Sequence, residues 1–467
     1  MKIPAALLAL MLALPALAQR PPLAERTEAD YAPQPYVELV NAPWTKDAVI
    51  YQLNTRQFTK EGTFRAAMAD LPRLHDMGVD IVWLMPIHPI GERNRKGSLG
   101  SPYSVRDYFG VNPELGTEDD FRAFVTAAHD LGLKVILDWV ANHTAWDNPL
   151  LAAHPDWYER DWKGDNRPTP WWDWSDIIDL DYRQPGVRKY MTEALAYWVR
   201  TFDIDGYRAD VAGYVPVDFW EDAREDLDAI KPVFMLAEWK EPELHRRAFD
   251  ATYSWEWYRT LERIAKGDAD ATALYGYYSE NESAWPMEAM RMVFTSNHDI
   301  NSWDAPAPEV FGDALPAITV LQFVTEGIPL IYNGQEVCNA KKLEFFERDP
   351  IDWSQNCEGT DLDRLYRDLI SFRDANPALH NGRWGARMTK VENSAPEQIL
   401  SFVRARDGNR VFAIFNLSPV ETEVSFPAAL AHGRFQMFRT GEVQEISEDV
   451  SMSLPPWGFR LLTSKAK

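Results

Sequence analysis

The sequence predicts a (β/α)8 barrel followed by an all-β domain. Apolar segments of strand length recur eight times, each is followed by a segment of helix length, and the pattern then changes to short alternating strands. Apolar strands without alternation are typical of a parallel sheet covered on both faces, and eight such units close into a barrel. We predict the barrel over residues 46–376 and a β-sandwich over residues 377–467, with Asp407-Gly408 as a hairpin turn.

Each predicted unit of the barrel pairs one strand with one helix. The strands are predicted over residues 48–54, 80–87, 134–143, 204–211, 233–239, 249–255, 290–299 and 328–336. Helices are predicted over residues 63–77, between the N-cap Thr117 and Gly132, and over residues 187–201.

The composition limits the possible partners. The 467 residues are 46% hydrophobic and 13% aromatic, with 19 Trp, which excludes a disordered chain. The formal net charge of -23 argues against nucleic acid or an anionic membrane as a partner, because both attract basic surfaces. A neutral ligand is compatible with this charge.

The N-terminal segment predicts export. Lys2 precedes an apolar run over residues 3–17 and the small residue Ala18, which together are typical of a secretory signal peptide over residues 1–18. The run is too short for a stable membrane span. We expect a periplasmic or secreted protein that begins with an extended, Pro-rich leader over residues 19–45.

The two cysteines are Cys338 and Cys357. In an oxidising compartment they would bridge the segment between them, and two free thiols fit the sequence equally well.

A short insertion over residues 144–182 follows the third strand and is rich in aromatic residues. One interpretation is a small core of the insertion itself, because aromatic rings bury a large area. The other is a set of platforms that stack on sugars. The aromatic residues are Trp146, Trp157, Tyr158, Trp162, Trp171, Trp172 and Trp174.

Polar residues collect where the predicted strands end. In barrel enzymes the reacting groups lie at the carboxyl ends of the strands, so side chains there are expected to converge. Several acids beside histidines suit a site that stabilises positive charge and transfers a proton. The residues are Asp138, Asn142 and His143 on strand three, Arg208 and Asp210 on strand four, Glu238 on strand five, and Asn297, His298 and Asp299 on strand seven.

Arg208 and Asp210 lie two positions apart on one strand, so their side chains leave the same face. They form either a structural ion pair in a core or a carboxylate nucleophile that the guanidinium holds ionised. Glu238 lies at the end of an apolar strand, where desolvation would favour its protonated form. This pairing of roles predicts Asp210 as a nucleophile and Glu238 as a proton donor.

The motifs around these residues resemble those of the α-amylase family of retaining α-glucan hydrolases and transglycosylases. The resemblance runs from about residue 47 to 376, in the family's order, and the C-terminal β domain is consistent with it. The motifs are DWVANH, GYRADV, LAEW and FTSNHD on strands three, four, five and seven, with DIVWLMPI, SPYSVRDYFGVNPELGT, IIDLDY and GIPLIYNGQE in support.

The resemblance implies Asp210 as nucleophile, Glu238 as general acid and then base, and Asp299 as the carboxylate that supports the oxocarbenium-like transition state. It also implies four side chains that contact the sugar, namely Tyr103, His143, Arg208 and His298.

The chain departs from the family at Gly213-Tyr214, where many members have Lys-His. The departure weakens the case for a calcium ligand and for a contact on the leaving-group side. Calcium prefers six to eight oxygen ligands. Oxygen donors considered for it are Asn142, Asp138, Asp173, Asp176 and the carbonyl of Tyr214. We nevertheless expect no metal and no other cofactor, and activity that survives chelation.

The sequence therefore predicts a secreted retaining glycoside hydrolase that cleaves α-1,4-glucosidic bonds in starch-like glucans or maltooligosaccharides. The short insertion leaves the cleft open, which favours an endo-acting α-amylase. An exo-acting α-glucosidase, a cyclomaltodextrinase or a transglycosylase would carry the same acids. A non-catalytic glucan-binding protein is the remaining alternative, and such a protein would be expected to have lost Asp210, Glu238 and Asp299.

Overall fold

The computed structural model describes residues 27–356, 361–426, 432–446 and 450–464 in two compact units that divide after Tyr36. The described part of the first unit is short and contains one 3-10 turn, Glu28–Tyr31, capped by Thr27. The predicted signal peptide lies outside the described residues. In the part of the chain that is described, no helix combines the length and apolar character needed to cross a membrane.

The second unit begins with a barrel of parallel strands. Eight strands close into the order β1-β10-β9-β8-β7-β6-β3-β2, which confirms the predicted (β/α)8 barrel. The first ten described strands are β1 Ile50–Leu53, β2 Ile81–Leu84, β3 Lys134–Trp139, β4 His143–Ala145, β5 Ile177–Asp179, β6 Gly206–Ala209, β7 Phe234–Ala237, β8 Ala251–Tyr253, β9 Met290–Phe294 and β10 Ile328–Tyr332.

Helices cover the outside of the barrel and bury one face against it. In α4, for example, Phe121, Phe124 and Val125 are buried, and Thr117 caps the helix by accepting the N–H of Asp120. The described helices are α1 Thr55–Phe58, α2 Phe64–Met68, α3 Leu71–Met77, α4 Glu118–Asp130, α5 Pro149–Ala153, α6 Pro185–Phe202, α7 Val217–Asp228, α8 Trp255–Ala265, α9 Ala273–Ala284, α10 Ala307–Phe311, α11 Leu315–Val324 and α12 Leu362–Asp374.

Two predicted features differ in the structure. The helix predicted over residues 63–77 is two helices, α2 and α3, because Pro72 lacks an N–H donor and is tolerated only in the first turn of a helix. The barrel strands are also shorter than predicted. The strand predicted over residues 290–299, for instance, ends at Phe294. The residues beyond that point leave the sheet, and two of them, His298 and Asp299, line the cleft at the barrel mouth.

The insertion is joined at its base by a two-stranded antiparallel sheet. β4 pairs with β5 so that His143 lies opposite Asp179 and Ala145 opposite Ile177. This pairing brings both ends of the insertion back to the carboxyl end of β3, beside the barrel mouth.

The C-terminal region is an all-β domain of two sheets. The six-stranded sheet has the order β11-β12-β13-β18-β15-β16, and β14 pairs with β17. The turn between β12 and β13 falls at Asp407 and Gly408, both with positive φ, which confirms the predicted hairpin. The strands are β11 Met388–Lys390, β12 Ile399–Arg406, β13 Asn409–Asn416, β14 Thr422–Phe426, β15 Gly433–Met437, β16 Val443–Ile446, β17 Val450–Leu454 and β18 Phe459–Ser464.

The two sheets share an apolar core and the domain is tied to the barrel. Phe412 of β13 packs edge-to-face on Phe426 of β14, with ring centroids 5.5 Å apart. Arg404 of β12 is buried and donates hydrogen bonds to the carbonyls of Thr325 and Ala386. A buried guanidinium with all-carbonyl partners holds this domain against the barrel, because its removal would leave those carbonyls unpaired.

Candidate active site

A cleft of about 720 Å³ opens at the carboxyl ends of the barrel strands. Asp210, Glu238 and Asp299 all line it, each one residue or a few residues past the end of β6, β7 or β9. Tyr103, His143 and His298 line the same cleft, so the structure brings six of the seven predicted site residues to one cavity. Arg208 lies beneath it, fully buried on β6.

Arg208 connects three carboxyl groups. Its Nη1 donates to Asp138 Oδ1 at 2.7 Å and to Asp210 Oδ1 at 3.1 Å, and its Nη2 lies 2.8 Å from Glu238 Oε2. Its Nε donates to the hydroxyl of Tyr253 at 3.2 Å. The Arg208–Asp210 pair is therefore part of a larger network and is not an isolated structural ion pair.

Three carboxyl groups around one guanidinium affect how the site binds protons. Burial, opposed by Arg208, raises the pKa of Asp138 to about 6. Burial also raises the pKa of Asp210, helped by the charges of Glu238 and Asp138 and opposed by Arg208. The prediction that Arg208 simply holds Asp210 ionised thus described only one of two opposing effects. Because the carboxyl groups are this close, protonation of Asp210 depends on the charges of its neighbours.

Glu238 has polar neighbours that the sequence interpretation lacked. Its Oε2 accepts the backbone N–H of Val211 at 2.8 Å in addition to lying near Arg208 Nη2. Val211 has φ 36°, a conformation that is costly for a β-branched residue. The predicted position at the end of an apolar strand is thus joined by a directed donor, because the turn after β6 points the N–H of Val211 at this carboxylate.

The two predicted histidines are buried and uncharged at neutral pH. Burial lowers the pKa of His143 to about 4 and that of His298 to about 3. His298 Nε2 lies 2.7 Å from the Tyr103 hydroxyl and 3.3 Å from Asp299 Oδ2. Burial also raises the pKa of Asp299, with Arg208 opposing. Neutral imidazoles can donate hydrogen bonds to sugar hydroxyls without adding charge.

Sequence reasoning missed three residues that shape the site. Gln52 of β1 contacts both the ring and the backbone of His298, and Tyr253 of β8 contacts Arg208. Phe345 stacks beside Tyr103, with ring centroids 6.1 Å apart and planes inclined by 12°. A polar residue inside an otherwise apolar strand was a usable signal for Gln52. Phe345 lies in a loop after β10 and had no comparable signal.

The aromatic residues of the insertion divide between the two interpretations. Tyr158 is 2% exposed and packs as part of a core, and Trp146 and Trp157 are half-buried against it. Trp171 and Trp172 are exposed, and Trp172 lines the cleft. Part of the set therefore forms a small core, and stacking of the exposed part on sugars remains a prediction.

The candidate calcium donors have other partners. Asp138 binds Arg208, and Asp173 and Asp176 both lie near the ammonium of Lys96, at 3.7 and 3.8 Å. Asn142 donates its amide to Asp179 at 3.1 Å, which turns its N–H rather than its carbonyl toward that acid. Three of these donors face a cationic side chain and the fourth turns an amide N–H toward its neighbour, so the residues as arranged do not fit a calcium cage. Among the described residues, no group of three or more His, Cys, Asp or Glu is arranged to hold a metal ion.

The predicted choice between a disulfide and free thiols involves Cys357, which lies outside the described residues. Cys338 is described and lies just past β10, at the C-terminal end of a 3-10 turn, Gln335–Val337. The bridge remains a prediction.

Comparison with known proteins shows which families and relatives this chain is similar to. The family model described as alpha amylase, catalytic domain matches residues 51–177 and 152–376, and the model described as maltogenic amylase, C-terminal domain matches residues 388–461. The α-amylase MalA of Haloarcula japonica is 29% identical over 405 residues, which cover 82% of this chain and 57% of that protein. A cyclomaltodextrinase of Geobacillus thermopakistaniensis is 26% identical over 477 residues, covering 91% of this chain and 78% of that protein.

A solved structure agrees with these sequence matches. The maltogenic α-amylase AmyB of Thermotoga neapolitana superposes with a TM-score of 0.82 at 29% identity, covering 91% of this chain and 100% of its own. The motifs, the closed barrel, the C-terminal sheets and the matched family models agree. The chain belongs to the α-amylase family and is a glycoside hydrolase of that family.

Proposed function

We propose that this hydrolase cleaves α-1,4-glucosidic bonds within glucan chains, with retention of anomeric configuration. The observation that carries the proposal is that Asp210, Glu238 and Asp299 line one cleft above a single buried guanidinium. Retaining glycosidases use two carboxyl groups about 5 to 5.5 Å apart, one as nucleophile and one as proton donor. Two carboxylates held by adjacent nitrogens of Arg208 are consistent with that spacing.

In the first step, a carboxylate oxygen of Asp210 attacks the anomeric carbon while Glu238 transfers its proton to the glycosidic oxygen. The bond between the anomeric carbon and that oxygen breaks, the leaving chain departs with a new hydroxyl, and the sugar is left as an ester of Asp210. This step requires the form in which Glu238 carries a proton and Asp210 is ionised. Arg208 supports the ionised Asp210 in that form.

In the second step, Glu238 is ionised and acts as a base. It takes a proton from water, whose oxygen attacks the anomeric carbon and releases Asp210 as a carboxylate. Asp299 and His298 are adjacent and face the cleft, where they would bind the hydroxyls of the sugar most tightly as it flattens. Tyr103 would stack on the same sugar, with His143 contacting it from the side of the insertion.

Aromatic rings from different segments of the chain line the cleft and support internal attack. Phe345 and Trp303 lie on the side of Tyr103, with ring centroids 5.0 Å apart. Trp172 and Trp174 line the cleft on the side of the insertion. Such rings provide stacking surfaces for several glucosyl units, as binding within a long chain requires.

Action on short or cyclic maltooligosaccharides is the second candidate. It is supported by the similarity to a cyclomaltodextrinase and to the maltogenic α-amylase AmyB, and by the match of the C-terminal domain to that of maltogenic amylases. An exo-acting α-glucosidase or a transglycosylase would use the same carboxyl groups.

Chromatography of products over time from amylose, pullulan and cyclodextrin tests these alternatives. Mixed oligosaccharides early in amylose digestion are expected for internal cleavage. Glucose alone would indicate attack at chain ends, maltose with rapid opening of cyclodextrin would indicate the second candidate, and products longer than the substrate would indicate transglycosylation. If a chromogenic maltooligoside is not hydrolysed at all, a non-catalytic glucan-binding role replaces the proposal.

We also propose that the protein acts outside the cytoplasm, on the basis of the signal-like residues 1–18. Cell fractionation with N-terminal sequencing of the mature protein tests this. A mature chain that starts near Gln19 in the periplasm or medium is expected, and an intact N-terminus in the cytoplasm would contradict it.

A further inference from the structure

The guanidinium of Arg208 uses its three nitrogens in different ways. Nη1 donates to Asp138 and Asp210, and Nη2 lies 2.8 Å from Glu238 Oε2. The remaining nitrogen, Nε, donates to the hydroxyl of Tyr253 at 3.2 Å. The carboxyl contacts therefore fall on the two Nη atoms, and Tyr253 supplies a neutral acceptor for the third nitrogen.

Tyr253 reaches Arg208 through the interior of the barrel. It belongs to β8, and β7 lies between β8 and β6 in the closed barrel. Its side chain is fully buried, and its ring packs against Trp255 and Phe294, with ring centroids 5.5 and 5.6 Å apart. A ring that is packed in this way keeps its hydroxyl in one place.

Trp83 of β2 completes an aromatic wall against the guanidinium. Its ring meets that of Tyr253 edge to face, with centroids 6.5 Å apart, and Arg208 Cζ lies 5.3 Å from the Trp83 ring and 5.8 Å from the Tyr253 ring. The indole N–H of Trp83 donates to Asp138 Oδ2 at 3.2 Å. The rings limit where the guanidinium can lie, whereas its rotation depends on its hydrogen bonds.

The hydroxyl of Tyr253 fixes that rotation. A guanidinium is planar, and its N–H groups keep fixed directions relative to one another. Once Nε and Nη1 are both engaged, the direction of Nη2 is set. Without the hydroxyl, the Nε–H would be a buried donor without an acceptor, which is costly. A rotation that offered this N–H to a carboxylate would draw Nη1 away from Asp210.

We propose that Tyr253 is a positioning residue, whose hydroxyl orients Arg208 so that the guanidinium supports the ionised form of Asp210. The inference rests on the proposed function, in which Asp210 is the nucleophile. Tyr253 is absent from the described residues that line the cleft, so it acts through Arg208 and does not contact the sugar.

Several charges act on Asp210, so the effect of Tyr253 on pH dependence follows from their balance. Burial and the charges of nearby acids raise the pKa of Asp210, and Arg208 opposes them. A less well directed Arg208 would therefore let this pKa rise further. The titratable groups that face Asp210 or Arg208 are Asp138 of β3, Glu238 just past β7, Tyr253 of β8, His298 and Asp299 past β9, and Tyr103 from the segment between β2 and α4.

Tyr207 supplies a matched control. It directly precedes Arg208 on β6 and is as fully buried as Tyr253. Its hydroxyl donates to the carbonyl of Leu195 in α6 at 2.6 Å, on the outside of the barrel. Tyr207→Phe therefore removes one buried hydroxyl beside Arg208 in sequence without removing a contact of the guanidinium.

The test compares Tyr253→Phe with Tyr207→Phe on a chromogenic maltooligoside over a range of pH. Tyr253→Phe is expected to lower kcat about tenfold and to change KM less than about twofold, because only the positioning of a reacting group is disturbed. The acid limb of kcat/KM should move up by about half a pH unit. Tyr207→Phe should keep the wild-type kcat and pH profile. Both variants should lose some Tm, since each loses a buried hydrogen bond.

If either kcat or the acid limb of Tyr253→Phe matches that of Tyr207→Phe, the positioning role is overturned. The crystal structure of Tyr253→Phe is a second measurement that needs no turnover. Arg208 Nη1 is expected to leave its position between Asp138 and Asp210, and an unmoved guanidinium would reject the role even where kcat falls. Failure of the proposed function has a different signature. The wild type would then hydrolyse no maltooligoside, while the variant structure would still show whether Tyr253 holds Arg208.

Discussion

The side-chain amide of Gln52 holds His298 at two points. Its Oε1 accepts the backbone N–H of His298 at 3.3 Å, and its Nε2 lies 2.7 Å from the ring Nδ1. A backbone N–H can only donate, so Oε1 must face it and the amide NH2 must face Nδ1. Nδ1 is therefore the acceptor and the ring proton is on Nε2. That N–H points at the Tyr103 hydroxyl, which in turn donates to Asp138 Oδ2 at 3.0 Å.

Gln52→Leu is expected to lower kcat about tenfold to a hundredfold, because His298 loses the group that sets its tautomer and orientation. Steady-state kinetics on a maltooligoside measures this. Gln322→Leu is the matched control, since Gln322 is equally buried and its amide donates to the carbonyl of Leu330, away from the cleft. The control should lose stability and keep its kcat. Equal kcat in the two variants would contradict a positioning role for Gln52.

Asp210→Asn and Glu238→Gln are each expected to lower kcat by several orders of magnitude while the protein stays folded, because each removes a covalent or proton-transfer role. A similar loss is expected for Asp299→Asn, whose hydrogen bonds to the sugar tighten in the transition state. Turnover of a chromogenic maltooligoside, with circular dichroism for folding, provides the measurement.

Asp250→Asn is the control for these variants. Asp250 is buried and pairs with Arg224 at 2.8 Å, at the opposite end of its strand from the cleft residues. It should lower Tm without a comparable loss of kcat. Near-normal turnover by purified, folded Asp210→Asn or Glu238→Gln would sink the assignment of the catalytic pair.

Because His88 is buried, we expect the free energy of unfolding to depend on pH. Burial lowers its pKa to about 4, and its Nδ1 donates to the carbonyl of Gly110 at 3.2 Å. Between pH 6.5 and 4 the unfolded chain binds a proton at this position that the folded protein does not, so the free energy of unfolding falls as pH falls. At ~1.4 kcal/mol per pH unit, the buried His88 lowers the free energy of unfolding by about 3 kcal/mol by pH 4.

His88→Asn keeps a donor for Gly110 and cannot titrate. Urea unfolding at pH 7.5 and pH 4.5 should therefore show that the wild type loses more stability on acidification than this variant does. His75→Asn, a change at an exposed histidine, should behave like the wild type. If His88→Asn and the wild type lose the same stability, His88 is not held neutral by burial.

Chelation is expected to leave activity and Tm unchanged, because the considered oxygen donors are engaged by Arg208, Lys96 and amide hydrogen bonds. A tightly bound ion stabilises only the folded state, so its removal would lower Tm by several degrees. The measurement is thermal unfolding after exhaustive EDTA treatment and again after addition of calcium. A drop that calcium reverses would refute the expectation.

The barrel and the positions of its acids were predictable because both depend on local patterns. Runs of apolar residues mark buried parallel strands, and the connections between such strands have one hand, so the eight carboxyl ends must meet at one mouth. Asp210, Glu238 and Asp299 each follow such a run and accordingly line one cleft. The strands were predicted too long because the polar motif residues that follow each apolar run, such as residues 295–299, were counted as part of the strand.

Contacts between segments distant in sequence could not be predicted. Arg208 was paired with Asp210 alone, whereas the structure adds Asp138 and Glu238, because β3 and β7 flank β6 in the closed barrel. Burial of Asp210, together with the charges of Glu238 and Asp138, raises the pKa of Asp210, and these contacts depend on segments that are distant in sequence.

The sequence by itself determined the fold class, the family and the set of acids, since hydrophobic periodicity and short motifs are local properties. Only the tertiary structure decided which tryptophans of the insertion are exposed beside the cleft and which residue holds His298. Trp157 and Trp171 are the same residue type in one insertion, yet one packs against the core and the other is fully exposed. Exposure depends on what the rest of the chain places against a side chain, and that is settled only when distant segments pack together.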